Sequence, residues 1–241
     1  QDFLDSVHRL YGLGAALDII VITAGAPPKP GQTRLDTLEL SAKICKSIVD
    51  PIMESGFDGI FLVISNPVDI ITHYVQFLSG LPKNQVIGTG TAIDSARLQN
   101  MIAQIAKVDP RSVHAYSMGE HGDSQMVPWS TVTVAGKPFY DVISDNKEMV
   151  GDVDLDDLVY KTTQEGWEIL NRKGTTYYGI ATACAGIIKA ILNDENRIVP
   201  VSTLLEGEYG EKNVYAGVPT VLNRYGAADE LEIHMTPGEL S

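Results

Sequence analysis

The chain has 241 residues, of which 44% are hydrophobic, so it can bury a sizeable core, and its length suits one large domain or two small ones. Its net charge of −13 disfavours nucleic acid and anionic membrane surfaces as partners, although a small anionic substrate can still meet a local arginine. No apolar run reaches the roughly 18 residues of a membrane span, and the two cysteines, Cys45 and Cys184, sit in helix-like apolar patterns and read as buried thiols in a reducing, cytoplasmic setting.

In chain order, Asp18–Thr23 is a β-branched run, read as a strand buried on both faces. Residues 26–32 hold three prolines and a glycine and predict a loop. Leu35, Leu38, Ala42, Cys45, Val49 and Ile52 recur at helical steps, with Ser55-Gly56 as the stop. Gly59–Ile64 is a second buried strand that runs into Ser65-Asn66-Pro67, where the proline breaks pairing. A helix over 68–79 ends at Gly80, a short strand covers 85–88, and a helix spans 91–107. Strand alternating with helix predicts a parallel α/β sheet.

Beyond Asp109 the pattern changes. Residues 112–118 and 129–135 read as strands, with Ala135–Pro138 as a hairpin turn. An acidic stretch from Asp141 to Asp157 leads to helices near 155–172 and 176–193. Residues 197–221 are β-rich around a turn at 206–210. The expectation is a Rossmann-type parallel sheet lacking its N-terminal part, followed by an α+β domain. The boundaries are 1–88 for the remainder of a dinucleotide-binding domain and 89–241 for a substrate domain. Both ends of the sequence read as cut.

Four sets of residues could carry chemistry. His121, between glycines just past a strand, can exchange protons near neutrality or be an ordinary loop histidine. Asp94 and Arg97 share one helical face, either as a surface ion pair or with divided roles: Asp94 to orient a histidine, Arg97 to grip a carboxylate with two parallel N–H donors. Arg34 opens a helix where the dipole disfavours a cation. Asn66 stands at a strand end, where open α/β sheets gather ligands, or it caps a turn. Gly12-Leu13-Gly14-Ala15-Ala16-Leu17 fails as a dinucleotide fingerprint, because its sixth position is Leu and it precedes a strand. No metal-binding spacing is present.

Six stretches in order, VITAGAPPKPGQTRLD (21–36), ISNPVDIIT (64–72), VIGTGTAIDSARLQ (86–99), RSVHAYSMGEHGDSQ (111–125), KGTTYYGIA (173–181) and VYAGVPTVLNRYG (214–226), resemble L-lactate dehydrogenases and their L-2-hydroxyisocaproate relatives. The resemblance implies NAD as cofactor and a hydride transfer between an L-2-hydroxy acid and its 2-oxo acid. It implies His121 as proton donor and acceptor, Asp94 as its partner, and Arg97 as the carboxylate clamp. Arg34 is implied to polarise the C2 carbonyl under a closing loop, and Thr176 to form a pocket wall. The strand ends Thr23, Ala24, Gly25, Ile64 and Asn66 are implied to lie along the dinucleotide, with Asn66 touching both the nicotinamide ribose and the substrate. A dimer or tetramer is also implied.

Three departures from that pattern matter. The Gly-rich turn and the acidic residue that hold pyrophosphate and ribose are not in this sequence. Pro28 stands where malate enzymes carry Arg, so oxaloacetate is expected to be a poor substrate and larger apolar 2-oxo acids acceptable. Gln99 stands where bisphosphate-activated relatives carry Arg beside the histidine matching His114, so that activation is expected to be weak. Malate dehydrogenase and a non-catalytic binding module of the same fold are the rival readings.

Overall fold

The computed structural model describes residues 17–26 and 37–240. Pro28, Arg34, most of the 26–33 loop and Gly12 to Ala16 therefore lie outside the described residues.

Three strands, β1 (Ile19–Ile22), β2 (Ile60–Val63) and β3 (Val86–Gly88), pair in parallel in that order. Every residue of β2 is buried, as a strand covered on both faces requires. Its side chains alternate between two cores. Phe61 and Val63 pack with Ile22 and Val86 under α1 (Leu38–Glu54) and α2 (Val68–Ser79). Ile60 and Leu62 turn to the opposite face, with Ile87, Cys184, Ile187 and Ile191. Each such side chain, fully buried, contributes about 1.5–3 kcal/mol.

α3 (Ala92–Ala106) follows β3 and leads into a separate small sheet. That sheet joins β4 (Val113–His114), β5 (Thr133–Val134) and β6 (Lys137–Pro138), with α4 (Phe139–Asp145) and α5 (Lys147–Val150) after it. The long helices α6 (Leu155–Lys173) and α7 (Tyr178–Leu192) come next. Then β7 (Arg197–Glu206), β8 (Lys212–Asn223) and β9 (Gly226–Glu230) form an antiparallel meander. The meander joins the parallel strands at one point, where Gly88 pairs with Ser202, so a single six-stranded mixed sheet runs β1-β2-β3-β7-β8-β9.

The structure departs from the periodicity in three places. Only Val113–His114 of 112–118 and Thr133–Val134 of 129–135 form strand. Around Pro128 the chain instead makes a 3₁₀ turn at Trp129–Thr131, where the Thr131 N–H reaches the Pro128 carbonyl. The acidic stretch contains α4, whose Phe139 and Val142 are buried three residues apart beneath an exposed surface. β9 reads Gly-Ala-Ala-Asp-Glu, which lacks β-branched residues and is strand because β8 pairs with it. The hairpin turn is as expected: Ala135 and Gly136 both have positive φ, 50° and 82°, as a two-residue connection between β5 and β6 demands. Both cysteines are buried free thiols.

Candidate active site

The site lies at the C-terminal ends of the parallel strands, where an open α/β sheet leaves a crevice. β2 ends at Val63, and the segment Ile64-Ser65-Asn66-Pro67 turns into α2 through a cis Asn66–Pro67 bond. Ser65 Oγ donates to the Ala24 carbonyl at 2.6 Å, which ties this segment to the chain leaving β1. Asn66 is thereby held in the crevice, with its Oδ1 buried and without a hydrogen-bond partner.

α3 supplies the charged pair. Asp94 lies in its first turn and Arg97 three residues on, on the same face. The Asp94 side chain is 2% exposed. Its two oxygens are divided: Oδ1 accepts from Arg97 Nη1 at 3.3 Å, and Oδ2 lies 2.6 Å from His121 Nδ1. A carboxylate there holds the proton on Nδ1. Arg97 Nε lies 4.0 Å from Glu165 of α6. Next to it is Gly166, where a Cβ would fall 3.4 Å from Arg97 Nη1, so the missing side chain leaves the guanidinium room.

His121 is carried on a turn fixed on both sides. Met118 and Met126 exchange backbone hydrogen bonds, and so do Gly119 and Gly217 of β8. The His121 backbone N–H donates to Asp69 Oδ2 at 2.9 Å, and Asp69 Oδ1 accepts from Ser202 Oγ at 2.5 Å. Burial pushes the Asp69 carboxyl above the usual carboxylate range, and the bonds from Ser202 and His121 oppose that shift.

These elements enclose a cleft of about 320 Å³. Thr23, Gly25, Ile64, Asn66, Arg97, His121 and Thr176 all line it, and Asp94 stands behind His121. Of the residues expected there, Ala24 does not reach the lining; its carbonyl accepts from Ser65. Arg34 and Pro28 lie outside the described residues. The sequence reading missed the apolar wall of Ile93, Trp167, Leu170 and Ile180, and also Thr89 and Asp69. Asp69 lies inside the ISNPVDIIT stretch, but nothing local marks its contacts, whose partners are 52 and 133 residues away. Gln99, in place of an arginine, spends its Nε2 on the Ala115 carbonyl at 2.9 Å.

The crevice suits the nicotinamide half of a dinucleotide. It is bounded by the ends of β1, β2 and β3, and the unpartnered Asn66 Oδ1 can accept from a ribose hydroxyl or an amide N–H. Among the described residues no helix is long and apolar enough to cross a membrane, and no cluster of metal-ligating side chains is present.

Comparison with known proteins agrees with this geometry. Residues 6–88 match the lactate/malate dehydrogenase NAD-binding domain, and residues 91–241 match the lactate/malate dehydrogenase alpha/beta C-terminal domain. L-lactate dehydrogenase 3 of Bacillus thuringiensis is 56% identical over 225 residues, covering 93% of this chain and 71% of that protein. The L-lactate dehydrogenase of Lacticaseibacillus casei is 50% identical over 222 residues, 92% of this chain and 68% of that one. The minor L-lactate dehydrogenase of Enterococcus mundtii, solved in a ligand-bound form, superposes with a TM-score of 0.90 at 44% identity, over 95% of this chain and 73% of that one. With both domain models matched in order over nearly its whole length, the chain belongs to the lactate/malate dehydrogenase family.

Proposed function

We propose that the protein is an NAD-dependent L-lactate dehydrogenase, interconverting a small 2-oxo acid and its L-2-hydroxy acid, with pyruvate and L-lactate as the reference pair. The observation that carries this reading is Asp94, which bridges His121 at 2.6 Å and Arg97 at 3.3 Å on the wall of a cleft beside Asn66. A non-catalytic module has no use for that bridge. Its similarity to the L-lactate dehydrogenases of Bacillus thuringiensis and Lacticaseibacillus casei favours lactate over malate.

Bound NADH supplies the hydride that goes to the carbonyl carbon. The chain's own residues do the rest. Arg97 takes the substrate carboxylate in a two-point fork, which fixes the carbonyl relative to His121. His121 holds its Nδ1 proton against Asp94, so Nε2 is the nitrogen that gives a proton to the carbonyl oxygen and takes it back from the alcohol. Asp94 stabilises the imidazolium before that transfer. Ile93, Trp167, Leu170 and Ile180 keep water from the reacting centre, which strengthens each of these interactions. Arg34, on the strength of its sequence context, polarises the carbonyl from the neighbouring loop.

Residues 1–88 serve the dinucleotide and 89–241 the substrate. The working form is a cytoplasmic homo-oligomer, a dimer or tetramer, without nucleic-acid or membrane partners. The net charge of −13 and the exposed Leu40 on α1 and Tyr177 and Tyr178 at the start of α7 support it.

His121→Ala in the full-length protein tests the assignment. Loss of a positioned acid should lower kcat by about a hundredfold or more, with NADH binding, read by fluorescence titration, unchanged. Wild-type turnover in that variant would refute the role.

A further inference from the structure

Arg97 has two acidic neighbours, and one of them is enough to hold it. Asp94, on the same helix, accepts from Nη1 at 3.3 Å with its side chain 2% exposed, so a buried counter-ion is already in place. The second neighbour is Glu165 of α6, whose Oε2 lies 4.0 Å from Arg97 Nε. That distance makes an ion pair without a hydrogen bond. Glu165 therefore does not fix the direction of the guanidinium; it places a second negative charge beside it.

Helix geometry puts it there. Thr162 and Gly166 of α6 face α3: Thr162 is buried with its Oγ1 3.7 Å from Met101 Sδ, and a Cβ on Gly166 would fall 3.4 Å from Arg97 Nη1. Glu165, three residues after Thr162, shares that face. Its side chain does not line the cleft of Asn66 and His121. A wider cavity of about 950 Å³ adjoins that cleft, and Ile93, Arg97, Thr176 and Ile180 form a wall common to both. Glu165 lines the wider cavity only, and its side chain is 35% exposed there. Among the described residues no cation other than Arg97 comes within ion-pair distance of it.

Resting on the reading of Arg97 as the carboxylate clamp, we infer that Glu165 is a specificity-determining residue: its charge, behind Arg97 as seen from the substrate, weakens the grip on every anion and on dianions most. One guanidinium already faces two carboxylates before substrate arrives, and the substrate carboxylate is the third. That third carboxylate sits one guanidinium width from Glu165, inside the roughly 10 Å over which 0.1 M salt screens charge. A monocarboxylate meets the repulsion once. A dicarboxylate such as oxaloacetate brings a second negative charge into the same field and is disfavoured further. The repulsion acts on the bound carboxylate and not on the carbon that takes the hydride, so it alters KM and leaves kcat nearly constant.

The test compares Glu165→Gln and Glu165→Ala with wild type in the full-length protein, with pyruvate and oxaloacetate as substrates. Each variant should lower the pyruvate KM about three- to tenfold, with kcat and the NADH dissociation constant within about twofold of wild type. The oxaloacetate KM should fall by a larger factor, so that the preference for pyruvate, as a ratio of kcat/KM values, drops about threefold or more. The KM gap between wild type and Glu165→Gln should narrow as ionic strength rises from about 0.05 to about 0.5 M, a response that a change in packing would not give. A pyruvate KM that is unchanged or raised in Glu165→Gln overturns the proposal. So does an equal fall for both substrates, since the number of charges would then not matter. Either result leaves Arg97 as the clamp, which Arg97→Lys tests on its own; an unchanged pyruvate KM in that variant removes the reading beneath the proposal. Should Glu165→Gln not fold, Glu165→Ala decides by the same measurements.

Discussion

At the scale of residues, the site works because one buried carboxylate faces both a guanidinium and an imidazole. Asp94 divides its oxygens between Arg97 and His121, so neither partner can shift without disturbing the other. Arg97 is the more demanding position, because a lysine there keeps the charge but loses the planar fork. Arg97→Lys should raise the pyruvate KM roughly 10- to 100-fold, as loss of a charge-assisted hydrogen bond worth about 1.5–3 kcal/mol implies. Steady-state kinetics check it, and an unchanged KM would remove Arg97 from the carboxylate role. Much of this site was legible in the sequence. The three-residue spacing of Asp94 and Arg97 puts them on one helical face, and a histidine flanked by glycines marks an exposed turn. Asp69, Trp167 and Gly166 were not legible. Their surroundings come from elements distant in sequence, and periodicity carries no record of which elements meet.

At the scale of elements, the helices and parallel strands follow the apolar pattern closely, because each is buried along a whole face or on both. The 68–79 helix is found with its expected bounds and stops at Gly80 in the left-handed conformation. Elements defined by a partner were harder to read. β9 is strand only because β8 is beside it, and the 112–118 run yields two residues of strand because the rest of it turns toward the His121 loop. The segment Thr236–Leu240 is likewise held by one side chain. The Glu239 carboxylate accepts from the N–H and hydroxyl of both Ser130 and Thr236, at 2.7–2.9 Å. Partial burial pushes the Glu239 carboxyl up, but these four bonds outweigh it and hold it near a pKa of about 2, against 4.5 for the free side chain. The folded value is the lower one, so the stabilisation is complete above pH 4.5 and is lost as pH falls toward 2. The stability difference between wild type and Glu239→Gln, from urea unfolding, should be constant above that window and shrink within it. A difference independent of pH across the window would contradict this.

At the scale of the whole molecule, the domain boundary expected from the sequence falls at residue 88, whereas hydrogen bonding does not stop there. The Gly88–Ser202 pair carries the sheet from its parallel half into its antiparallel half. The residues proposed to face nicotinamide come from the first half, and Asp94, Arg97, His121 and Thr176 come from the second. The crevice between them is therefore spanned by a continuous sheet, and Asp69 and Ser202 bond across the same junction. Such a molecule holds its two half-sites in register without requiring the domains to close on each other. The central claim is that this cleft reduces a monocarboxylic 2-oxo acid. The direct measurement is kcat/KM of the full-length protein with NADH for pyruvate, 2-oxoisocaproate and oxaloacetate. Turnover of the first two well above the third is the expected result. A clear preference for oxaloacetate, or no turnover of either monocarboxylate, would contradict it.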